Sequence, residues 1–140
     1  MAQFTVILKI GSTGAAVNYL QTALAKLGYN SGPIDGIFGP KTQTAVKSFQ
    51  KAKGLVVDGI VGNNTWAAID KALLLKIGST GAAVKYLQTV LAKLGYNPGP
   101  IDGIFGPKTQ TAVKSFQKAK GLVVDGIVGN NTWAAIDKAL

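Results

Sequence analysis

Four aspartates are the side chains of this sequence best suited to chemistry, and each begins the same frame. The frame is D-G-I-x-G-x-x-T-x-x-A followed by Val or Ile, and it starts at Asp35, Asp58, Asp102 and Asp125. Paired carboxylates hydrolyse glycosidic bonds when one of them has a raised pKa. A repeated Asp-Gly loop can also belong to a calcium site. The letters G-P-K-T after Phe38 share part of the phosphate-loop pattern.

None of these three chemistries fits the frame. A calcium loop needs several oxygen ligands at alternating positions and a terminal Glu, whereas the frame offers one Asp. The phosphate loop lacks its upstream glycine, and Pro40 removes a backbone N–H that the loop would need. Asp35 and Asp58 occupy equivalent turns, which favours equivalent structural roles over an acid and a base. The chain has no His and no Cys, so catalytic triads, thiol catalysis and Cys-type zinc sites are excluded within it.

The frame is instead typical of a turn that leads into a helix. Asp before Gly favours an Asx turn, in which the carboxylate accepts backbone N–H groups and Gly takes a positive φ. We expect the Ile of the frame to point into the core. We expect the Thr to lie in the first helical turn, with its hydroxyl bonded to the turn backbone.

The sequence is a tandem duplication. Residues 8–73 align with residues 75–140 at an offset of 67 residues, and each copy contains two frames. The copies differ only at Asn18/Lys85, Ala23/Val90 and Ser31/Pro98. The repeat predicts an N-terminal extension over residues 1–7, one domain over residues 8–73 and a second over residues 74–140.

Three helices are predicted in each copy. The first begins near Ser12 or Thr13, either of which could be the N-cap, and ends at Gly28. The second begins at Pro40, where a missing N–H does no harm, and the third begins with Asn63 as its cap. The predicted fold class is therefore all-α, with two tandem small three-helix bundles and short D-G-turn connections.

The charged residues favour an anionic partner or surface. All six acidic residues are Asp, all 15 basic residues are Lys, and the net charge is +9. Without the planar fork of Arg, specific reading of nucleic acid is disfavoured. A salt-sensitive binder of teichoic or nucleic acid stays open. So does an engineered repeat scaffold without a ligand, because the two copies are almost identical.

The ordered motifs of each copy resemble the three-helix peptidoglycan-binding domain family, which accompanies bacterial and phage cell-wall hydrolases. The motifs are L-K-I-G-S-T-G-A-A-V, L-G-Y-N, I-D-G-I-F-G-P-K-T-Q-T-A-V-K-S-F-Q and V-D-G-I-V-G-N-N-T-W-A-A-I. The resemblance spans both copies. It implies a non-catalytic, carbohydrate-binding wall anchor for a linked hydrolase such as an amidase or endolysin, with no cofactor and no metal.

Peptidoglycan, through its glycan or its stem peptide, is the partner that this resemblance implies, and anionic wall polymers are a further possibility. It implies a secreted protein, located outside the cell or in the cell wall as part of a larger protein. The first residues, MAQFTVILKIGS, predict no signal peptide because they lack a basic region and a long apolar run. No stretch approaches membrane-spanning length, so we expect no membrane partner.

The candidate binding surface is the rim where the loop after the first helix meets the openings of the second and third helices. Ligand sites combine apolar or aromatic walls with a few polar groups, and the rim offers both. The candidates are Tyr29, Asn30, Phe38, Thr42, Gln43, Asn63 and Asn64 in the first copy, and Tyr96, Asn97, Phe105, Thr109, Gln110, Asn130 and Asn131 in the second.

Structural roles compete with binding at several of these positions. Tyr29 could plug the bundle end, Phe38 could belong to the core, and Asn63 could be only a cap. Asn64 has no evident packing role, which favours binding there. Two weak sites on a repeating polymer would act as a pair, gaining ~10²-fold or more in affinity if the geometry permits.

Overall fold

The computed structural model describes residues 6–140, which form two compact units. The first unit ends at Lys71 and the second spans Ala72–Leu140. The helices are α1 (Ala15–Lys26), α2 (Pro40–Ala52), α3 (Asn63–Leu73), α4 (Ala82–Lys93), α5 (Pro107–Ala119) and α6 (Asn130–Ala139). Within residues 6–140, β structure is limited to four isolated bridges. The predicted all-α class, with three helices in each copy, is confirmed.

A short segment before α1 packs against the second frame and the third helix of the first unit. Leu8 forms an antiparallel bridge with Val61, through N–O distances of 3.0 and 2.8 Å. The indole Nε1 of the buried Trp66 donates a hydrogen bond to the carbonyl of Val6 at 2.7 Å. Val6 falls within the predicted N-terminal extension, and residues 1–5 of that extension lie outside the described residues.

The second unit has the same two contacts. Leu75 bridges Val128, and Trp133 Nε1 donates to the carbonyl of Leu73 at 2.7 Å. Each copy therefore fixes its tryptophan through the backbone of a segment that precedes its first helix. Because the acceptor is a carbonyl, the contact depends on chain position and not on side-chain identity.

The helix ends agree with the glycine and proline signals but not with the predicted caps. Pro40 occupies the first turn of α2, and Gly28 has a φ of 90° after α1, as expected. The N-cap of α1 is Gly14, because the Ser12 hydroxyl accepts a hydrogen bond from Lys9 N at 3.0 Å instead. The predicted Ser12 or Thr13 cap is therefore wrong.

The asparagine caps predicted for the third helix of each copy are also wrong. The N-cap of α6 is Gly129, without a side-chain capping bond, and Asn130 is the first helical residue. In the first copy, α3 likewise begins at Asn63 itself. Asn63 and Asn130 are therefore the first residues of their helices and not the N-cap residues that precede them.

The Ile of each frame points outward, contrary to the sequence expectation. Ile37 is 55% exposed and bridges Thr13, whereas the next residue, Phe38, is 1% exposed. Ile60 and Val61 repeat this pattern. Successive side chains on extended backbone point to opposite sides, so burying the residue after Ile turns Ile to the solvent.

A buried glutamine amide holds each frame in place. Gln50 Oε1 accepts the N–H groups of Asp58 and Gly59 at 3.2 and 3.0 Å. Gln50 Nε2 lies 3.0 Å from Asp58 Oδ1, 2.9 Å from the Ile60 carbonyl and 3.2 Å from Thr65 Oγ1. Donors converge on one end of the amide and acceptors on the other, which fixes its orientation. The Thr of the frame thus completes the glutamine's partners.

The same arrangement occurs at all four frames. Gln21 makes these contacts with the first frame, Gln88 with the third and Gln117 with the fourth. All four glutamines are about as buried as the aromatic core residues. The predicted Asx turn is confirmed, because Asp35 Oδ1 accepts the N–H of Ile37 at 3.0 Å and Gly36 has a φ of 73°.

We predict that Gln50→Ala combined with Gln117→Ala strongly destabilises the fold. The change leaves two N–H groups per copy without an acceptor, and a buried unsatisfied group costs about 1–3 kcal/mol. The free energy of unfolding should therefore fall by about 2–6 kcal/mol per copy. Urea denaturation followed by circular dichroism measures this.

Ser48→Ala combined with Ser115→Ala is the matched control. Both serines are exposed on α2 and α5, the helices that carry the two glutamines. These changes should alter the free energy of unfolding by no more than about 0.5 kcal/mol. Equal urea midpoints for the glutamine and serine variants would contradict the structural role of the amide.

Candidate functional site

An open cleft lies at the N-terminal end of α3, beside the second frame. It has a volume of 440 Å³. One wall is aliphatic and the other groups are polar. The lining includes Leu55, Val56, Asp58, Ile60, Asn63 and Asn64, and we call this the α3 cleft. Val56 is 79% exposed, so its side chain is available to a ligand.

The second copy has an equivalent cleft at the N-terminal end of α6. Its volume is 410 Å³, and it is lined by Leu122, Val123, Asp125, Ile127, Asn130 and Asn131. We call it the α6 cleft. The sequence from residue 55 to residue 65 is identical to that from 122 to 132. The duplication therefore preserved this site without a single change.

A third cleft, at the start of α2, is not preserved in this way. It measures 390 Å³, and Ser31, Pro33, Ile37 and Lys41 are among its lining residues. The Ser31 hydroxyl donates to the Gln21 carbonyl at 3.3 Å. The second copy has Pro98 at the equivalent position, which cannot make this bond. The α3 and α6 clefts are therefore the better candidates for a duplicated function.

Two of the predicted site residues in each copy are buried. Phe38 and its counterpart Phe105 belong to the core and are each 1% exposed. Thr42 is 2% exposed; its hydroxyl donates to the Ser31 carbonyl at 3.2 Å and accepts from the first-frame glutamine. Thr109 has the matching role in the second copy. These four side chains present almost no surface to a polymer.

Other predicted residues lie outside the clefts. The ring of Tyr29 packs edge-on against Phe49, with 5.7 Å between centroids. Asn30 is exposed, and its Oδ1 accepts the N–H of Gly32 at 3.0 Å. Gln43 packs over the second frame, since a Cβ built on Gly59 would lie 3.0 Å from Gln43 Cγ. Tyr96, Asn97 and Gln110 repeat these positions.

The predicted rim is consequently not one surface. Of its members, Asn63 and Asn64 share the α3 cleft, and Asn130 and Asn131 share the α6 cleft. The aliphatic wall was missed from the sequence. Its signal is the triplet Leu55-Val56-Val57, a run of apolar residues directly before the frame, of which the two valines are exposed.

The carboxylate in each cleft is held ionised. The N–H of Ile60 and then the amide of Gln50 donate to Asp58, which lowers the pKa of that carboxyl below its ordinary value of 3.8. Ile127 and Gln117 lower the pKa of Asp125 in the same way. A general acid at neutral pH needs a raised pKa, so these geometries suit a fixed negative charge and not proton donation.

The described residues offer little for other chemistries. Between residues 6 and 140, no three or more Asp, Glu, His or Cys side chains are grouped so that they could hold a metal ion. In that same part of the chain, none of the helices has the length and apolar character needed to cross a bilayer.

Both copies match one known family. The family described as "Putative peptidoglycan binding domain" matches residues 13–69 and 80–136. A "Probable N-acetylmuramoyl-L-alanine amidase" of Bacillus licheniformis is 37% identical, over 92% of this chain and 44% of the relative. The "Zinc D-Ala-D-Ala carboxypeptidase" of Streptomyces albus G is 38% identical, over 86% of this chain and 43% of the relative. The chain thus spans less than half the length of these relatives.

A solved structure, the SleB N-terminal domain, is similar to one copy. It is 36% identical and has a TM-score of 0.48, covering 49% of this chain and 94% of that domain.

We predict that the fold loses stability in acid through the four frame aspartates. Hydrogen bonds from the backbone and from glutamine lower the pKa of each in the folded state. Below the ordinary pKa of 3.8, the unfolded chain therefore binds more protons than the folded chain. This contribution is present above about pH 4 and is lost as the pH falls through the folded-state values.

Thermal denaturation between pH 7 and pH 2 tests this, with Asp58→Asn combined with Asp125→Asn as the comparison. Asn can still accept the N–H of Ile60 but does not titrate. The melting temperature of the variant should therefore fall less than that of the wild type as the pH is lowered. Parallel acid profiles for the wild type and the variant would show that these carboxylates do not govern acid stability.

Proposed function

The chain belongs to the peptidoglycan-binding domain family, and from that premise we propose that it is a non-catalytic module that binds the bacterial cell wall. In this proposal the α3 and α6 clefts contact peptidoglycan, and the chain anchors a linked cell-wall hydrolase such as an amidase or endolysin. Its location is then the wall or the space outside the cell, as part of a larger protein.

The observation that carries the proposal is the pair of unchanged clefts. Each joins an exposed aliphatic wall, formed by Val56 and Ile60 in the first copy, to the amides of Asn63 and Asn64. Peptidoglycan presents N-acetyl groups, methyl groups and peptide amides, which need both kinds of contact. The clefts lie in the size range of small-ligand sites, so each would hold a short segment of the polymer.

A non-catalytic role is supported by the state of the aspartates. Asp58 and Asp125 have lowered pKa values and are committed to their turns. Neither suits the role of the acid in glycoside hydrolysis. The curated relatives are more than twice as long as the segment they share with this chain. We therefore assign hydrolysis to a separate domain of such proteins.

Two copies of one site suit a repeating polymer. When one cleft is occupied, the second faces a high local concentration of identical ligand units. Avidity could raise the affinity of the pair ~10²-fold or more over that of one site. Preservation of every residue from 55 to 65 in the second copy favours this use over two different specificities.

A salt-sensitive polyanion binder is the second candidate, and the net charge of +9 favours it. Affinity for a polyanion such as teichoic acid would fall steeply with salt, because binding releases counterions. Contacts with aliphatic walls and amides would persist. Salt dependence therefore separates the two candidates.

We predict that the full chain co-sediments with insoluble sacculi stripped of teichoic acid, at both low and high salt. Val56→Ser combined with Val123→Ser should weaken this binding. Burying a valine stabilises a complex by up to about 1.5 kcal/mol, so each site should lose roughly tenfold in affinity. Either single change should have a smaller effect than the pair.

Ile10→Ser combined with Ile77→Ser provides the control. Both isoleucines are 50% exposed and neither lines the described clefts, so retention on sacculi should not change. Binding that disappears with salt or with teichoic acid would favour the polyanion function. If the variant with both valines replaced by serine binds sacculi as strongly as the wild type, the α3 and α6 clefts are not the binding site.

A further inference from the structure

We propose that the α3 and α6 clefts recognise the stem peptide of peptidoglycan and not its glycan strand. The inference rests on the proposed function and names the part of the polymer that enters the site. Three features of the described residues support it: the placement of the aromatic rings, the chemistry of the cleft walls and the positions of the lysines.

The aromatic rings of the described residues lie in the core or pack against it. Sugar rings are commonly bound by stacking of their C–H faces on an exposed aromatic ring. In residues 6–140, every Phe and Trp is buried, and every Tyr is only partly exposed. Tyr19 packs against Trp66 at 6.0 Å, Tyr29 packs against Phe49, and no aromatic residue lines the α3 or α6 cleft. The clefts therefore lack a stacking platform for a glycan.

The walls suit a peptide with small aliphatic side chains. Val56 and Ile60 offer exposed branched methyl groups, against which the methyl groups of alanine residues can be buried. Asn63 and Asn64 each carry one carbonyl and one NH₂ group, the complement of a peptide N–H and C=O. Asp58 also lines the cleft; its Oδ1 serves the turn, and its other carboxylate oxygen can accept a peptide N–H. This set of groups matches a backbone with short side chains.

The lysines match the charge of the stem peptide. Its carboxylates are its ionised acidic groups, whereas a glycan strand whose lactyl carboxyls are in amide linkage is neutral. Lys47 extends over the turn beside the α3 cleft, since a Cβ built on Gly59 would lie 3.0 Å from Lys47 Cε. Lys114 is placed in the same way at Gly126, at 3.1 Å. Each cleft thus has a cation beside its rim that can attract a carboxylate.

Separating the two parts of the polymer tests the proposal. Sacculi digested at the bond between muramic acid and alanine give peptide-free glycan strands and a fraction of stem peptides. Because the digestion frees the lactyl carboxyls of the strands, displacement by the two fractions is compared at high salt, where attraction by charge alone is screened. The full chain should co-sediment with intact sacculi, be displaced by the peptide fraction and not be displaced by the glycan strands. Displacement by the glycan strands alone would overturn the inference. Failure to bind intact sacculi would instead overturn the proposed function itself.

The lysines provide a second measurement. Lys47→Gln combined with Lys114→Gln should raise the concentration of peptide fraction needed for displacement roughly two- to fivefold at low salt, with less effect at high salt. Lys71→Gln combined with Lys138→Gln is the matched control, because these exposed lysines lie near the other ends of α3 and α6. Equal shifts for both pairs would show that only net charge matters and would overturn the assignment of Lys47 and Lys114.

Discussion

The fold depends on one hydrogen-bonding constraint, the need to satisfy a buried glutamine amide at each of four turns. Each amide has an acceptor end and a donor end, and the frame supplies two N–H groups for the first and three oxygens for the second. The glutamine therefore joins four parts of the frame into one hydrogen-bonded unit: the Asp, the Gly, the Ile carbonyl and the Thr. The glutamine amide thus makes the hydrogen bonds to the turn backbone that a neighbouring strand would make in a regular sheet.

The proposed binding surface follows from the same constraint. Because the frame's backbone is fixed by the glutamine, Val61 enters the core and Ile60 must face outward. The exposed Ile60, together with Val56, then forms the aliphatic wall at the opening of α3. The candidate site thus lies on the outer face of the structural turn. This explains how two copies can keep identical clefts: a change in the turn would disturb the fold and the surface together.

Much of the fold could be predicted from short-range patterns. Pro40, Gly28 and the helical spacing of apolar residues set the helices, because each acts within a few residues of itself. The Ser12 cap was predicted wrongly because the Ser12 hydroxyl accepts a hydrogen bond from Lys9 N. Helix-capping propensity does not reveal this competing partner. The glutamines were missed because Gln50 lies eight residues from Asp58 and Gln21 lies 14 from Asp35. A mid-helix Gln looks like a solvent-facing residue until the turn that it meets is known.

The candidate site was less predictable for a related reason. Asn63 and Asn64 were found because their amides have an obvious chemistry. Phe38 and Thr42 were included for the same reason, but burial removes them from the surface. Asp-Gly bonds, finally, are among the peptide bonds open to spontaneous isomerisation, in which the glycine nitrogen attacks the protonated aspartate side chain and expels water. Here the Gly59 N–H is held by Gln50 and the Asp58 carboxylate by Ile60. Attack must break both contacts, so the four turns are protected against chemical ageing.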